Sequence, residues 1–182
     1  MLNSKTKRKI YDLVYIALFT SLISVCAWIT VPFSIPFTMQ TFAVFVTVAM
    51  LGGKRGTIAV GCYIMLGLFG LPVFSGFNGG VSALFGATGG YIIGFILIAL
   101  VMWACEKLFG KKTTVLAVSM TLGIAACYLF GSVWYTFVYM HKTGAAGFLA
   151  ALLTCVVPYI IPDVVKIFLA LLVKKRLGKY IK

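Results

Sequence analysis

Acidic side chains are nearly absent from this sequence, which has three Asp and Glu residues among 182 and a single histidine. General acid–base catalysis commonly uses His, Asp or Glu, and metal sites use clusters of such ligands. Asp12 and Glu106 lie near the ends of apolar segments, and His141 has no second imidazole to act with. We therefore predict no catalytic residues, no metal site and no cofactor, which counts against an enzyme.

Two further motifs are missing. The five cysteines are widely spaced and form no C-x-x-C pair, so neither a zinc site nor a redox pair is indicated. The phosphate-binding pattern G-x-x-x-x-G-K-[ST] does not occur in the chain. We interpret the cysteines as small apolar residues in a helix-packed interior, and we expect no nucleotide site.

Charged residues are also scarce. They make up 10% of the chain and hydrophobic residues 62%, whereas soluble domains have roughly 25% and 45–50%. A chain this short has too little interior to hide that much apolar surface from water. The net charge is +13, but the cations occur in short clusters between apolar runs, without the aromatic-interleaved basic face of a nucleic-acid-binding protein. We predict an all-α integral membrane protein that binds no nucleic acid.

Six apolar segments follow one another along the chain, and we predict a single transmembrane domain over residues 1–182. A helix of about 20 apolar residues crosses the hydrocarbon core, so the shorter second and third segments need support from neighbours. A cleaved signal peptide is the alternative for the first segment, but its apolar stretch is too long and no cleavage site follows. The predicted helices cover about residues 11–31, 38–51, 57–70, 89–109, 113–140 and 146–173.

The distribution of Lys and Arg predicts the orientation. Fourteen of them lie at the two termini and in the second-to-third and fourth-to-fifth connections, whereas the opposite connections contain only Lys142. The positive-inside rule then places both termini in the cytoplasm of a multi-pass protein in the cell membrane. A glycine-rich loop over residues 71–90 falls on the outer side.

Asp163 and Lys166 are ionisable residues within the sixth apolar segment, three residues apart and so on one helix face. An ionised group at membrane depth costs about 2.5–3.5 kcal/mol on insertion scales, and such groups usually face a cavity. Pro158 and Pro162 precede them, and we expect both to loosen the helix and free backbone carbonyls. Two interpretations remain open, contact with a ligand and a self-satisfied ion pair that pins two helices.

Other polar groups gather on the predicted outer side. The strings GFNGG and GATGGY in the glycine-rich loop contain Asn78 and Tyr91, and glycine permits close backbone approach to a ligand. An ordinary flexible loop is the alternative. Gln40 opens the second segment, where it can pair with another helix or with a ligand. On the first segment, Ala17 and Ser21 are small residues four apart, a spacing that allows close helix packing, either internally or with a second protein.

Several strings occur together in an order that resembles a known family. They are IPFTMQTFAVF, LGGKRG, GLPVFSGFNGG, GATGGYIIGF and PYIIPDVVK, and the resemblance covers about residues 11–176. They resemble the biotin transporter substrate-binding subunits, the S components of energy-coupling factor (ECF) transporters, often called BioY proteins. The resemblance implies a six-helix, S-component-like membrane protein that captures biotin outside the cell. It also implies partners, a membrane scaffold subunit and two cytoplasmic ATPases.

The resemblance also implies site residues. The polar pocket positions of the family correspond to Asn78, Tyr91, Asp163 and Lys166, with Gln40 as a further position. Many relatives carry Ser where Asn78 stands, which alters the local donor pattern. The family's scaffold-docking signature A-x-x-x-A corresponds to Ala17-x-x-x-Ser21. For this pair the resemblance therefore favours scaffold docking over internal packing. The functional alternatives are a stand-alone biotin facilitator, an S component for another vitamin and a membrane enzyme.

Overall fold

The computed structural model describes residues 4–31, 37–143, 152–153 and 155–180, and side chains of the same residues except 139–143. The predicted all-α class is confirmed, with one short antiparallel strand pair as the addition. The elements in chain order are α1 (Ser4–Trp28), β1 (Thr30–Val31), β2 (Phe37–Thr38), α2 (Gln40–Leu51), α3 (Gly53–Leu68), α4 (Val81–Leu84), α5 (Gly89–Phe109), α6 (Thr113–Thr143) and α7 (Val157–Leu177).

The ends of α1 differ from the predicted segment. The helix begins at Ser4, ahead of the predicted start at residue 11, because Lys and Arg are good helix formers and continue the helix beyond the apolar run. It ends at Trp28, since Thr30 and Val31 pair with Thr38 and Phe37 in the strand pair. The predicted helical start of the second segment at residue 38 is therefore also replaced by a strand.

Other boundaries shift as well. Helix α3 begins at Gly53 and α6 runs on to Thr143, both beyond the predicted limits, whereas α5 covers residues 89–109 as predicted. The loop predicted over residues 71–90 contains a 3₁₀ turn at Ser75–Phe77 and the short helix α4. The prolines of the 32–36 segment and the predicted start of the sixth helix at residue 146 lie outside the described residues.

Three described helices are long and apolar enough to cross a bilayer, α1, α5 and the Thr113–Val138 part of α6. The 12 residues of α2 measure only about 18 Å at 1.5 Å per residue, well short of a hydrocarbon core of roughly 30 Å. The 16 residues of α3 are also short of it. These helices depend on their neighbours for cover, as the sequence predicted.

Helix α2 lies at the centre of the bundle. Every residue of it except Phe42 is buried, and it contacts α1, α3, α5 and α7. An amphipathic stripe is not needed in a helix that is covered on all sides, which explains why α2 is apolar around its whole circumference. The polar residues at its first turn are thereby placed in the interior of the protein, between the neighbouring helices.

Helix α3 meets the glycine-rich loop at one crowded contact. A Cβ at Gly67 would lie 2.0 Å from the ring of Phe74, which is 1% exposed, whereas a Cβ at Gly61 on the same helix would meet nothing within 4 Å. We expect Gly67→Ala to destabilise the protein by about 1–3 kcal/mol, because the buried ring has to move. Gly61→Ala should leave the thermal unfolding midpoint in detergent unchanged or raise it, since Ala favours helix. Equal midpoints for the two variants would contradict this contact.

Candidate functional site

A cavity of about 360 Å³ lies between α2, α5, α6, α7 and the glycine-rich loop. This volume falls within the range of about 300–1,000 Å³ that is common for small-molecule sites. Its wall combines aromatic rings with a few polar side chains, which is the usual composition of such a site. All five residues that the sequence predicted as a binding site line this one cavity, Gln40, Asn78, Tyr91, Asp163 and Lys166.

An ion pair on α7 forms the most polar part of the wall. Lys166 Nζ lies 2.7 Å from Asp163 Oδ1, and the two residues are only 4% and 5% exposed. The spacing of three residues places both on one face of the helix, as predicted. Burial of either charge without the other would be costly, because desolvation of an unpaired ion is not repaid. The two opposite charges compensate each other, so the buried pair carries no net charge.

The two prolines before the ion pair occupy different positions in the helix. Helix α7 begins at Val157, so Pro158 lies in its first turn, where the missing N–H has no helical partner to lose. Residues 152–153 and 155 are also helical and Val156 forms a turn, so the helix is interrupted just before Pro158. Pro162 does lie inside the helix, directly before Asp163.

Hydrogen bonds connect the ion pair to two other helices. Lys166 Nζ donates to Thr41 Oγ1 on α2 over 3.0 Å, and the Tyr128 hydroxyl on α6 donates to Asp163 Oδ2. The ammonium also lies 4.2 Å from the ring centroid of Phe37, at cation–π distance. Both interpretations of the pair thus describe part of the geometry, because it joins α2, α6 and α7 and also lines the cavity.

The ion pair retains capacity for a ligand. Asp163 Oδ1 accepts from Lys166 and from Thr41, whose hydroxyl lies 3.4 Å away. Oδ2 accepts from Tyr128, and a carboxylate oxygen has two lone-pair sites. One acceptor position on Oδ2 is therefore left at the cavity wall, and it suits a neutral N–H donor.

Gln40 is held at the end of the cavity near α3. Its Nε2 donates to the Tyr63 hydroxyl, and its Oε1 accepts from Thr38 Oγ1 over 3.1 Å. Tyr63 in turn donates to the Val73 carbonyl over 3.2 Å. Because Nε2 carries two hydrogens, the amide can still offer one donor to a molecule in the cavity.

Asn78 is an exposed loop residue whose side chain shapes its own turn. Its Nδ2 donates to the Ser75 carbonyl over 2.9 Å, and its backbone carbonyl accepts from Phe74 N. Phe77, next to it, has a φ of 58° and stacks on Trp28 at 5.0 Å. The side-chain nitrogen and the backbone carbonyl of Asn78 thus form hydrogen bonds within the loop. The side-chain oxygen Oδ1 is the atom best suited to a ligand.

Tyr91 is positioned by a close approach of α5 and α6. A Cβ at Gly131 would lie 2.4 Å from the Tyr91 ring, so the absence of a side chain there lets the ring lie against α6. Its hydroxyl lies 3.2 Å from Ser132 Oγ, within hydrogen-bond distance. The ring thereby forms a fixed flat wall of the cavity.

Sequence reasoning missed several cavity residues. Thr41 and Tyr128 hold the ion pair, and Phe37 and Tyr159 supply aromatic surface to the same cavity. Thr41 could have been noticed as a polar neighbour of Gln40. Tyr128 carries no comparable signal, because it is one of nine tyrosines and only the packing of α6 on α7 brings it to Asp163.

Ala17 and Ser21 are not among the residues that line this cavity. Both are exposed on α1, and Ser21 Oγ donates to the Ala17 carbonyl of its own helix over 3.0 Å. The exposed face also carries Leu13, Val14 and Leu18. Internal helix packing, the first interpretation of this pair, is therefore wrong, and the face is open to lipid or to another protein.

Known proteins are similar to this chain in sequence and in fold. A biotin transporter BioY from Thermotoga maritima is 40% identical over 172 residues, which are 92% of this chain and 96% of that protein. A probable biotin transporter BioY from Pyrococcus horikoshii is 36% identical and covers 89% of this chain. The crystal structure of the S-component for biotin from an ECF-type ABC transporter superposes with a TM-score of 0.85 at 26% identity, over 98% of this chain and 95% of that one.

The helical bundle and its cavity thus define the fold class, that of the S components of ECF-type transporters. The family follows from the sequence, since the BioY family model matches residues 3–182. The chain belongs to the BioY family, whose members are transporters and not enzymes.

Proposed function

We propose that this chain is a biotin-binding membrane subunit that mediates biotin uptake and is energised by a separate scaffold and ATPase module. One observation carries the proposal: the Asp163–Lys166 pair, Gln40, Asn78 and Tyr91 line the same cavity. The names of the relatives support biotin as the substrate, and the fold of the ECF S-component supports the energising partners.

The cavity chemistry suits biotin. The molecule has a cyclic urea with two N–H donors and one acceptor, an apolar sulfur-containing ring and a chain that ends in a carboxylate. The free acceptor position on Asp163 can take a urea N–H, and Lys166 and the amides of Gln40 and Asn78 can donate to oxygen atoms. The rings of Phe74, Tyr91 and Phe95 offer flat apolar surface for the bicyclic body.

The proposal includes the topology. Six spans place both termini and the four main cation clusters in the cytoplasm, and the glycine-rich loop with the cavity mouth outside. The apolar lengths of α1, α5 and α6 support it. A single-cysteine accessibility measurement on a variant that lacks the native cysteines would test it, with Gly76→Cys labelled from outside and Lys112→Cys labelled only after lysis. Labelling of Lys112→Cys from outside would contradict the orientation.

An S component for a different vitamin is the first alternative. Equilibrium binding of the purified protein to biotin, riboflavin and thiamine separates the possibilities. We expect biotin to bind and the other two to show no saturable binding at the same concentrations. Saturable binding of riboflavin or thiamine without biotin would replace the proposed substrate.

A stand-alone facilitator is the second alternative, and it has the same cavity. Biotin uptake by cells that contain the chain with and without the scaffold and ATPase subunits separates the two functions. We expect accumulation against a gradient only when all subunits are present. Equal accumulation without them would show that the chain does not need an ATPase.

The exposed face of α1 provides a prediction about the scaffold. Ala17→Phe adds a large ring to the proposed contact, and we expect it to abolish co-purification with the scaffold while biotin binding persists, because close helix approach needs small side chains. Ala125→Phe is the matched control, since Ala125 is also exposed but lies on α6. Loss of the scaffold with Ala125→Phe alone would assign docking to another face.

A further inference from the structure

A second cavity, of about 380 Å³, lies at the other end of the bundle. It is lined by the last turns of α2 and α5, the first turns of α6 and the end of α7, whereas the opposite ends of α2, α5 and α7 line the first cavity. The proposed biotin site does not include it. In the proposed topology it opens on the cytoplasmic side of the membrane.

Positive charge predominates around this second cavity. Four basic residues and one acidic residue line it, Arg55, Lys111, Lys112, Lys174 and Glu106. Arg55 pairs with Asp12, which lies outside the lining, at 2.7 Å. Glu106 pairs with Lys111 at 3.1 Å and also accepts from the backbone N–H of Gly53. The one carboxylate of the lining is therefore already engaged by two donors.

Among the described residues, Lys112 and Lys174 have no carboxylate partner in this arrangement, and Lys174 is the more buried of the two. Burial lowers the pKa of Lys174, the ammonium of Lys111 lowers it further, and Glu106 acts in the opposite direction. An anion in the cavity would relieve this repulsion.

Apart from the hydroxyl of Ser119, the other side chains of the lining are apolar. Its aliphatic and thioether side chains come from α2, α5 and α6. Val48, Met50, Leu51 and Met102 are buried, and Val115 and Leu116 are half-buried. A free inorganic anion gains no favourable contact from such an apolar surface. An amphiphile with a phosphate and a hydrocarbon chain matches both the basic rim and the apolar floor.

We infer that this cavity is a binding site for the phosphate headgroup of an anionic phospholipid of the cytoplasmic leaflet. Basic pockets between transmembrane helices on the cytoplasmic side are known to take such headgroups. The phosphate would lie between Lys111, Lys112 and Lys174, and the glycerol and upper acyl chain would lie against Leu51 and Leu116. The site joins α2, α5, α6 and α7 at the end remote from the biotin cavity.

Native mass spectrometry of the purified full chain tests this inference. The protein is mixed with equal amounts of phosphatidylglycerol and phosphatidylcholine of the same acyl chains, and inorganic phosphate is tested separately. We expect at least about tenfold preference for phosphatidylglycerol, since each basic residue near the headgroup contributes about a fivefold effect. Lys174→Gln should reduce the preference about fivefold, and Lys112→Gln, at an exposed position, provides a second variant that leaves the interior unchanged.

Lys175→Gln is the matched control, because Lys175 is the next residue on α7 but is exposed and outside the lining. It should keep the preference of the unaltered protein. A loss equal to that of Lys174→Gln would mean diffuse surface attraction and overturn the site. Equal retention of the two lipids, or competition by inorganic phosphate at the lipid concentration, would overturn the assignment to a lipid headgroup.

Discussion

Asp163→Asn is expected to weaken biotin binding by roughly 10- to 100-fold. The amide keeps the size of the carboxylate but removes its charge, so most of a hydrogen bond to a charged acceptor, worth about 1.5–3 kcal/mol, is lost. It also leaves Lys166 buried without its counter-ion and alters the bond from Tyr128. Titration calorimetry of the purified variant with biotin measures the effect.

The chain contains a matched control for this substitution. Asp12→Asn changes the same residue type at the other aspartate, which pairs with Arg55 at 2.7 Å and is about one-third exposed. Exposed ion pairs contribute only about 0–1 kcal/mol to stability. The affinity for biotin should therefore stay within about twofold of that of the unaltered protein. Unchanged affinity in Asp163→Asn would contradict the assigned site.

The double variant Asp163→Asn/Lys166→Met is expected to recover stability without recovering biotin binding. Lys166→Met alone leaves the Asp163 carboxylate buried and unpaired, which typically costs about 3–5 kcal/mol. Removal of both charges restores electroneutrality, and a buried ion pair can often be replaced by uncharged residues at little cost. The thermal unfolding midpoint of the double variant should therefore exceed that of Lys166→Met.

Biotin affinity distinguishes the two interpretations of the pair. If the pair only pins α7 to α2 and α6, the stable double variant should bind biotin about as well as the unaltered protein. If the pair contacts the ligand, as we propose, binding should stay at least about 100-fold weaker, since two charge-assisted contacts are lost. Recovery of both stability and affinity would reduce Asp163 and Lys166 to a structural role.

Much of this site could be anticipated from local sequence because its strongest signals are local. Asp163 and Lys166 are conspicuous in an apolar segment, and their spacing determines a shared face on any helix. Asn78 and Tyr91 stand in glycine-rich strings whose chemistry suggests a turn or a close approach. The predicted fold class depended on composition, which needs no knowledge of how the helices pack.

What could not be anticipated depends on contacts between distant segments. Tyr128 reaches Asp163 only through the packing of α6 on α7, and Gln40 is oriented by Tyr63 from α3. The start of α1 was misjudged because hydropathy detects where a helix is apolar and not where its backbone hydrogen bonds begin.

The central claim is that biotin occupies the cavity between α2, α5, α6, α7 and the glycine-rich loop. An experimental structure of the chain purified with biotin tests it most directly. We predict density for one biotin molecule in this cavity, with polar atoms within hydrogen-bond distance of Asp163 and Lys166. Biotin bound elsewhere on the protein, or in the cavity without contact to either residue, would contradict the account.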